Sequence, residues 1–296
     1  KVSSCTNETG LPVAICGAAL QGDRGNRGMD RGPVLLVNQR DEGRGIHGTR
    51  FERRLMRTLP AIVSNSWEGH EFLVRKFGLD PGRVRVINNG VVIPEAVDGR
   101  EWRRAQGIAD DQMLLLMLAN LTRFKDHATL LRAFSQVRAK EPGRRCQMVL
   151  TGSPGDATES IKALAFDLGL GECLKITGVI RDTNVVLSAS DLVVHSSLTE
   201  GCPNGALEAM ALGKCVLGTD ISGMRQALGE HNRQRFLAPA RDSVRLAELI
   251  LRYLENADQR VAAGLENRSR IRSEFSVAKM TREVLMTIRD LRVRPH

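Results

Sequence analysis

Short apolar runs alternate with longer stretches of helical period from about residue 108 onward. The apolar runs predict buried strands at 113–119, 146–152, 174–179, 191–197 and 214–220. The stretches between and after them predict helices at 128–140, 157–168, 183–189, 204–212, 222–228 and 243–256. Strands that alternate with helices form βαβ units, so the pattern indicates an α/β fold with a parallel, Rossmann-like sheet over about residues 95–275.

Parallel sheets of this kind bind ligands outside the carboxyl ends of their strands, where loops lead into helix N-termini. The predicted strand ends therefore place the candidate site in the loops at 119–126, 152–156, 178–182 and 197–205. Asp126 ends the first of these loops, and its side chain is suited to cap the following helix.

The first 94 residues have a weaker pattern. A strand is predicted at 60–66 and a helix at 67–78, whereas residues 17–50 hold eight Gly and six Arg with little periodicity. We predict a partial N-terminal α/β domain over 1–94 in which residues 1–50 are irregular. An RNA-binding segment is an alternative for 17–50, but aromatic residues, which stack on bases, form only 4% of the chain.

The C-terminal run at 275–291 predicts an amphipathic helix, which we treat as a separate segment, 276–296. Its predicted apolar face consists of Val284, Leu285, Ile288 and Leu291. A length of 296 residues agrees with two domains plus such a segment.

The net charge of +9 is concentrated at the two ends of the chain. Residues 1–60 carry a balance of +4 and residues 268–296 a balance of +5, which leaves 61–267 neutral. A neutral middle argues against a nucleic-acid groove, which would need basic residues along one face. Basic ends fit peripheral contact with an anionic membrane better than a nucleic-acid groove, although solvated surface arginines are the simpler explanation.

Cysteine usage and hydropathy bear on the compartment. The six Cys are scattered without a C-x-x-C pair, which favours reduced thiols. The longest apolar run, Met113–Ala119, is far shorter than the roughly 20 residues of a membrane span, and no signal peptide is visible. We therefore expect a cytoplasmic protein, with membrane contact at the inner face. The chain begins at Lys1, which indicates processing or a fragment.

The segment EGCPNGALE at 200–208 carries the most specific chemistry. It places Glu200 in a loop and Glu208 inside the following helix, while Pro203 suits a helix start and Gly205 permits close approach to the backbone. A helix N-terminus offers N–H groups to a diphosphate, and carboxylates accept hydrogen bonds from sugar hydroxyls. Two solvated surface acids are the alternative interpretation.

The context of this segment resembles the retaining glycosyltransferases of GT-B fold, in particular family 4 (glycosyl transferases group 1). Their signature, E-G-x-P-x-x-x-L-E-A-M-A-x-G-x-P-V, is matched by EGCPNGALEAMALGKCV, which departs from it at Lys214-Cys215. TDISGMRQAL at 219–228 is similar to their T-D-x-G-G-x-x-E segment, with departures at Ser222 and Gln226. The resemblance extends from about Leu55 to Leu291, and the N-terminal domain looks truncated or divergent.

The resemblance implies roles for both acids. Glu200 would contact hydroxyls of the donor sugar, and Glu208 would hold the ribose of the nucleotide. The loop between them would meet sugar and phosphate through Gly201, Pro203 (by position only, since it lacks an N–H), Asn204 and Gly205.

The segment LANLTRFKDHATLL at 118–131 is similar to the family's G-R-L-x-x-x-K-G, whose Arg and Lys neutralise the departing diphosphate. Lys125 matches the Lys, whereas Asn120 stands at the Arg position. We infer that Arg123, three residues further on, supplies the second charge, although a surface arginine is the alternative. Gly178 and Val179 lie in a loop similar to the one that lines the nucleobase pocket.

The resemblance thus implies a retaining, metal-independent glycosyltransferase that uses a nucleotide-sugar donor and a glycan or lipid-linked acceptor. No cofactor is expected, because the nucleotide sugar is a substrate and no His, Cys or Asp cluster has metal-ligand spacing. A nucleotide-sugar-binding module without catalysis is the main alternative. An epimerase or phosphorylase of similar fold is another, but no motif for a cofactor-linked lysine is visible.

Overall fold

The computed structural model describes residues 2–6, 12–16, 34–39, 49–59, 61–95, 97–143 and 145–293. They form two compact units. The first unit consists of Lys1–Gly90 and Val277–His296, and the second unit of Val91–Ser276. The corresponding boundaries predicted from the sequence lie at 94/95 and 275/276.

The first unit contains a five-stranded sheet. Its strands are β1 (Val2–Thr6), β2 (Pro12–Cys16), β3 (Val34–Gln39), β4 (Ala61–Ser64) and β5 (Val84–Val86). They lie in the order β1-β2-β3-β4-β5, with antiparallel pairing from β1 to β3 and parallel pairing from β3 to β5.

The prediction that residues 1–50 are irregular is wrong for β1, β2 and β3. Each is a short run with few charges, and strand pairing depends on partners that are distant in sequence. Because Gly and Arg are abundant around these runs, the periodicity of apolar positions did not predict them. The predictions for 17–33 and 40–48 lie outside the described residues.

Two helices pack beside β4 and β5. They are α1 (Arg50–Thr58) and α2 (Trp67–Phe77). Each begins at a hydroxyl cap, since Thr49 accepts a hydrogen bond from the Glu52 N–H and Ser66 accepts one from the Gly69 N–H. Met56, Leu73 and Phe77 form the centre of this small core.

The second unit contains a six-stranded sheet, all of it parallel, as predicted. Its strands are β6 (Met113–Leu118), β7 (Cys146–Thr151), β8 (Leu174–Gly178), β9 (Leu192–His195), β10 (Val216–Thr219) and β11 (Leu237–Ala238). Their order is β11-β10-β9-β6-β7-β8. Because the order reverses next to β6, the loops after β6 and β9 meet at a topological switch point.

Nine helices of the second unit lie in the described residues. They are α3 (Arg100–Ala105), α4 (His127–Lys140), α5 (Thr158–Asp167), α6 (Thr183–Ala189), α7 (Asn204–Ala211), α8 (Ser222–Leu228), α9 (Arg233–Phe236), α10 (Ser243–Glu255) and α11 (Ala257–Glu274). The central strands of the sheet are almost completely buried. Among the described helices of the chain, none is long and apolar enough to cross a membrane.

The last helix, α12 (Val277–Val293), belongs to the first unit. Ile288 packs with Ala61 of β4, and Val284 and Leu291 lie beside this pair. Leu285, predicted on the same face, is instead 51% exposed. The register of the helix places Thr287 in the buried position, where its hydroxyl donates to the Glu283 carbonyl.

Candidate functional site

The loop after β6 is shaped by Asp126. This residue adopts a left-handed conformation, with φ 45° and ψ 48°, which Asp tolerates better than most residues with a side chain. Its carboxylate caps α4 as predicted, because it accepts hydrogen bonds from the Thr129 hydroxyl at 2.6 Å and the Thr129 N–H at 3.4 Å. The turn fixes Lys125 at the carboxyl edge of the sheet.

The end of β9 holds this loop in place. The Ser196 hydroxyl lies 3.1 Å from the Lys125 carbonyl and 2.9 Å from the Asp126 carbonyl, and it donates towards both. The Leu198 N–H donates to the Phe124 carbonyl at 2.8 Å. Two strand ends are thereby tied to each other before any ligand arrives, which preorganises the side chains that they carry.

Lys125 and Glu200 form the electrostatic centre of the site. The Lys125 ammonium donates to Oε1 of Glu200, and the Ser197 hydroxyl donates to the same oxygen at 2.7 Å. The Glu200 side chain is 7% exposed, whereas that of Lys125 is 25% exposed. A buried carboxylate is stable only with such compensation, so the pair is a fixed part of the fold.

The TDISG segment, residues 219–223, contacts the backbone next to and at Glu200. The Thr219 hydroxyl donates to the Ser197 carbonyl. A side chain at Gly223, on α8, would lie 2.2 Å from the Glu200 carbonyl oxygen, so only glycine fits there. The glycine that matches the family motif at this position therefore has a packing reason in this chain.

Two buried histidines lie near Lys125. His127 opens α4 and His195 ends β9, and both are almost fully buried. Burial, with the charge of Lys125 as the second cause, lowers the pKa of His127 to about 4 and that of His195 to about 3. Both rings are therefore neutral near pH 7, and Lys125 has no repulsion from an imidazolium.

The start of α7 follows Glu200 after a short loop. Gly201 and Pro203 are buried, Pro203 occupies the N-cap position, and Asn204 is exposed as the first helical residue. A side chain at Gly205 would lie 2.4 Å from the Leu118 carbonyl oxygen and 3.0 Å from the His195 ring. Packing of α7 on β6 and β9 thus already requires glycine here, independently of any ligand.

Glu208 lies further along α7 and has a neutral partner. The Thr183 hydroxyl, at the start of α6, donates to Oε2 of Glu208 at 3.0 Å. Burial raises the pKa of Glu208 above its ordinary value, and the Thr183 hydrogen bond lowers it in part. Glu208 therefore differs from Glu200 in the kind of partner that stabilises it.

Asn120 and Arg123 lie on the exposed side of the loop after β6. The Asn120 side-chain oxygen accepts a hydrogen bond from the Ser153 N–H at 3.1 Å, which links this loop to the one after β7. The Arg123 side chain is 76% exposed and pairs with Asp156 at 3.2 Å. Its guanidinium also lies over the Phe124 ring, 5.3 Å from the centroid.

Gly178 ends β8 with a positive φ of 70°. Its carbonyl accepts hydrogen bonds from the Gly152 N–H at 3.0 Å and the Thr151 hydroxyl at 2.8 Å. The next residue, Val179, is 67% exposed at the same edge of the sheet. The structure thus places both residues in the loop from which the sequence analysis expected nucleobase contacts.

The sequence analysis missed Ser197 and Thr183. Ser197 lies inside a loop that the strand pattern had marked, so a polar side chain just before Glu200 was a usable signal. Thr183 had none, because its partner Glu208 is 25 residues away on another helix.

The site combines three features: the ion pair of Lys125 with the buried Glu200, the Glu208 carboxylate with its donor Thr183, and the N-terminus of α7. This combination suits a ligand that presents both negative charge and hydroxyl groups. In the described part of the chain, no group of three or more His, Cys, Asp or Glu side chains is placed to hold a metal ion.

Comparison with known proteins finds D-inositol 3-phosphate glycosyltransferases among the relatives of this chain. The chain is 28% identical over 179 residues to D-inositol 3-phosphate glycosyltransferase 2 of Catenulispora acidiphila. That alignment covers 57% of this chain and 42% of the relative. It is 26% identical over 225 residues to D-inositol 3-phosphate glycosyltransferase of Acidothermus cellulolyticus, which covers 73% of this chain and 49% of that protein. The chain spans about half the length of the curated relatives it matches.

Solved structures share the fold. Anabaena Alr3699/HepE in complex with UDP and glucose superposes with a TM-score of 0.76 at 21% identity, over 86% of this chain and 71% of that chain. A glycosyltransferase from Rickettsia africae ESF-5 superposes with a TM-score of 0.74 at 18% identity, over 83% and 68%. Identities this low establish the GT-B-like α/β fold alone.

The profile of one protein family, Glycosyl transferases group 1, matches residues 98–270. The match covers more than half of the chain and contains all six strands of the second sheet, β6 to β11, with every loop of the candidate site. The chain therefore belongs to the glycosyl transferases group 1 family.

Proposed function

We propose that this chain transfers a sugar from a nucleoside-diphosphate donor to an acceptor with retention of anomeric configuration, as a family 4 enzyme. The observation that carries the proposal is the contact between Lys125 and Glu200 at the carboxyl edge of the sheet, directly before α7. A diphosphate beside Lys125 and a sugar beside Glu200 would satisfy both charged groups at once.

Lys125 is assigned to the leaving diphosphate. Negative charge develops on the phosphates as the glycosidic bond breaks, and a fixed cation at that point lowers the barrier by a few kcal/mol. Arg123 supplies a second charge from the exposed side of the same loop, after leaving its ion pair with Asp156. With two cations in these positions, turnover is expected to persist in EDTA.

Glu200 is assigned to the sugar and Glu208 to the ribose. Oε1 of Glu200 is already engaged by Lys125 and Ser197, which leaves Oε2 to accept hydrogen bonds from sugar hydroxyls. Glu208 accepts the ribose hydroxyls from α7. The exposed side chain of Val179 and the backbone of Gly178 line the nucleobase pocket.

The acceptor is proposed to be a polysaccharide precursor or a lipid-linked glycan, and the reaction to take place in the cytoplasm. The concentration of positive charge at the two ends of the sequence supports peripheral contact with an anionic membrane.

Isothermal titration with UDP-, GDP- and ADP-sugars, alongside hydrolysis and transfer assays, tests the proposal. Glu208→Ala is expected to weaken binding of the preferred nucleotide about tenfold, which is the loss of one charge-assisted hydrogen bond. Glu200→Ala should reduce turnover more than affinity. Negligible effects of both substitutions would contradict the proposal.

Binding without hydrolysis or transfer would instead identify a nucleotide-sugar-binding module. The same titrations separate this outcome from the proposal, because Glu208→Ala would still weaken binding while no wild-type turnover would be measured.

A further inference from the structure

The hydrogen bond between Thr183 and Glu208 joins two different loops of the sheet edge. Thr183 follows the loop after β8, and Glu208 lies on the helix after β9. The hydroxyl donates to Oε2 at 3.0 Å. Within the described residues, Oε1 of Glu208 has no donor, so the carboxylate is held by one oxygen and presents the other.

The direction of the Thr183 hydroxyl is set by the start of α6. Asp182 caps this helix through the Asn184 N–H at 3.1 Å, so Thr183 is the first helical residue and its backbone is fixed. Thr183 is half-buried, and its β-branched side chain has few rotamers available. The donor is thus rigid, whereas a glutamate side chain without a partner would sample several rotamers.

We propose that Thr183 is a positioning residue for ribose recognition: it fixes Oε2 of Glu208 so that Oε1 points to the 2′- and 3′-hydroxyls of the nucleotide. This inference rests on the proposed function, since it needs Glu208 to bind ribose. It assigns to α6, through a neutral hydroxyl, part of the selection for ribonucleotides.

The electrostatics of Glu208 agree with this role. Burial raises the pKa of Glu208, and the Thr183 hydrogen bond is the influence that lowers it. Asp182, the charged cap of α6, is exposed. Helix α11 packs near the C-terminal end of α7, where Gly264 lies against the Gly213 carbonyl. Thr183 therefore favours the ionised carboxylate, which accepts hydrogen bonds from a ribose diol.

The test measures discrimination between ribose and deoxyribose. Wild type, Thr183→Val, Thr183→Ser and Glu208→Ala, all in the full chain, are titrated with UDP, GDP and ADP and with their 2′-deoxy counterparts. The ratio of the two dissociation constants is compared for the base that binds best. General damage to the site weakens both nucleotides equally and leaves this ratio unchanged.

We expect wild type and Thr183→Ser to prefer the ribonucleotide about tenfold, in line with one hydrogen bond to a charged group. Thr183→Val should reduce the preference to about threefold or less, and Glu208→Ala should nearly abolish it. If Thr183→Val does not fold, Thr183→Ala gives the same comparison. A wild-type preference retained in the variant without the hydroxyl would overturn the inference.

The outcome also separates this inference from the proposed function. If wild type binds no nucleoside diphosphate, or if Glu208→Ala leaves the ribose preference intact, the assignment of Glu208 itself fails. If Glu208→Ala abolishes the preference and Thr183→Val preserves it, only the role of Thr183 fails.

Discussion

Glu200 and Glu208 come from one short motif, yet the fold places them in opposite electrostatic settings. Glu200 is buried against an ammonium and a hydroxyl, and both of these donors bind the same oxygen. Glu208 is half-buried, and its partner is the neutral Thr183 hydroxyl. The charge of Glu200 is balanced by that of Lys125. The surroundings of Glu208, in contrast, penalise its ionisation.

This difference suggests a division of labour between the two acids. A charge-balanced pair is stable without ligand, so it can hold a fixed geometry around the bond that is proposed to break. An acid with a weak partner gains more from ligand hydroxyls, because they supply hydrogen bonds that the protein does not. Substitutions in the two regions should therefore change stability in opposite directions.

The largest effect is expected from Lys125→Met, which leaves Glu200 buried without a counter-charge. Removing one partner of a buried pair costs about 3 kcal/mol of the free energy of unfolding, and the partial exposure of Lys125 makes this an upper value. Turnover should fall at least about 100-fold, because the cation proposed to act on the leaving group is lost. Chemical denaturation and a transfer assay measure the two effects.

The double variant Lys125→Met with Glu200→Gln sharpens this result. Neutralising the buried acid should restore most of the lost stability, because the uncompensated charge is gone, while turnover stays low. If stability is not restored, the loss in Lys125→Met comes from packing rather than charge, and the contrast between the two regions is weakened.

The opposite response is expected from Glu208→Gln. The native pKa of Glu208 lies above its ordinary value, so the native state binds this proton more tightly than the unfolded chain. The contribution of this group to the free energy of unfolding therefore falls as the pH rises from its pKa in the unfolded chain to its higher pKa in the native state. Glu208→Gln should remove this fall and raise stability at pH 7, by less than about 1 kcal/mol because solvent screens this partly exposed group.

Nucleotide binding should have the reverse pH dependence. Wild-type affinity should fall as the pH drops through the raised pKa of Glu208, since the ionised form is the one proposed to accept hydrogen bonds from the ribose hydroxyls. In Glu208→Gln this dependence should be absent and affinity low throughout, as titrations at several pH values would measure. A destabilised Glu208→Gln protein would show that the two acids play the same structural role.

The fold of the second unit was predictable because its strands and helices follow local periodicity. The runs at 113–119 and 146–152, for example, correspond to β6 and β7 within one residue at each end. β1 to β3 were missed because a short strand is stabilised by neighbours that periodicity does not reveal.

The positions of the candidate site residues in the fold were predictable in part for a related reason. Lys125, Glu200 and Glu208 lie in loops or helices that directly follow predicted strands. The family motif specifies a Lys at the first of these positions and a Glu at the other two. The Ser197 and Thr183 hydroxyls, which orient both acids, depend on side-chain contacts across loops. The environment of His195 depends on packing against Gly205, which no local pattern encodes.

The smallest effect is expected from Arg123, the second cation of the proposed site. Its ion pair with Asp156 is exposed, and such pairs contribute up to about 1 kcal/mol. Arg123→Ala should leave the free energy of unfolding almost unchanged and weaken nucleoside-diphosphate affinity about fivefold at most. Titration at low and moderate salt measures it, because an exposed charge is screened by ions.

Asp156→Asn is the matched control for this last prediction. Asn keeps an oxygen that can accept from the Arg123 N–H, which now donates to Oδ1 of Asp156 at 2.9 Å, but it removes the charge that competes for the guanidinium. Affinity for the nucleoside diphosphate should therefore rise slightly, and the rise should disappear when Arg123→Ala is added. A loss of turnover in Arg123→Ala as large as that in Lys125→Met would mean that burial does not rank the cations, and the reasoning that separates the Lys125–Glu200 pair from its exposed surroundings would fail.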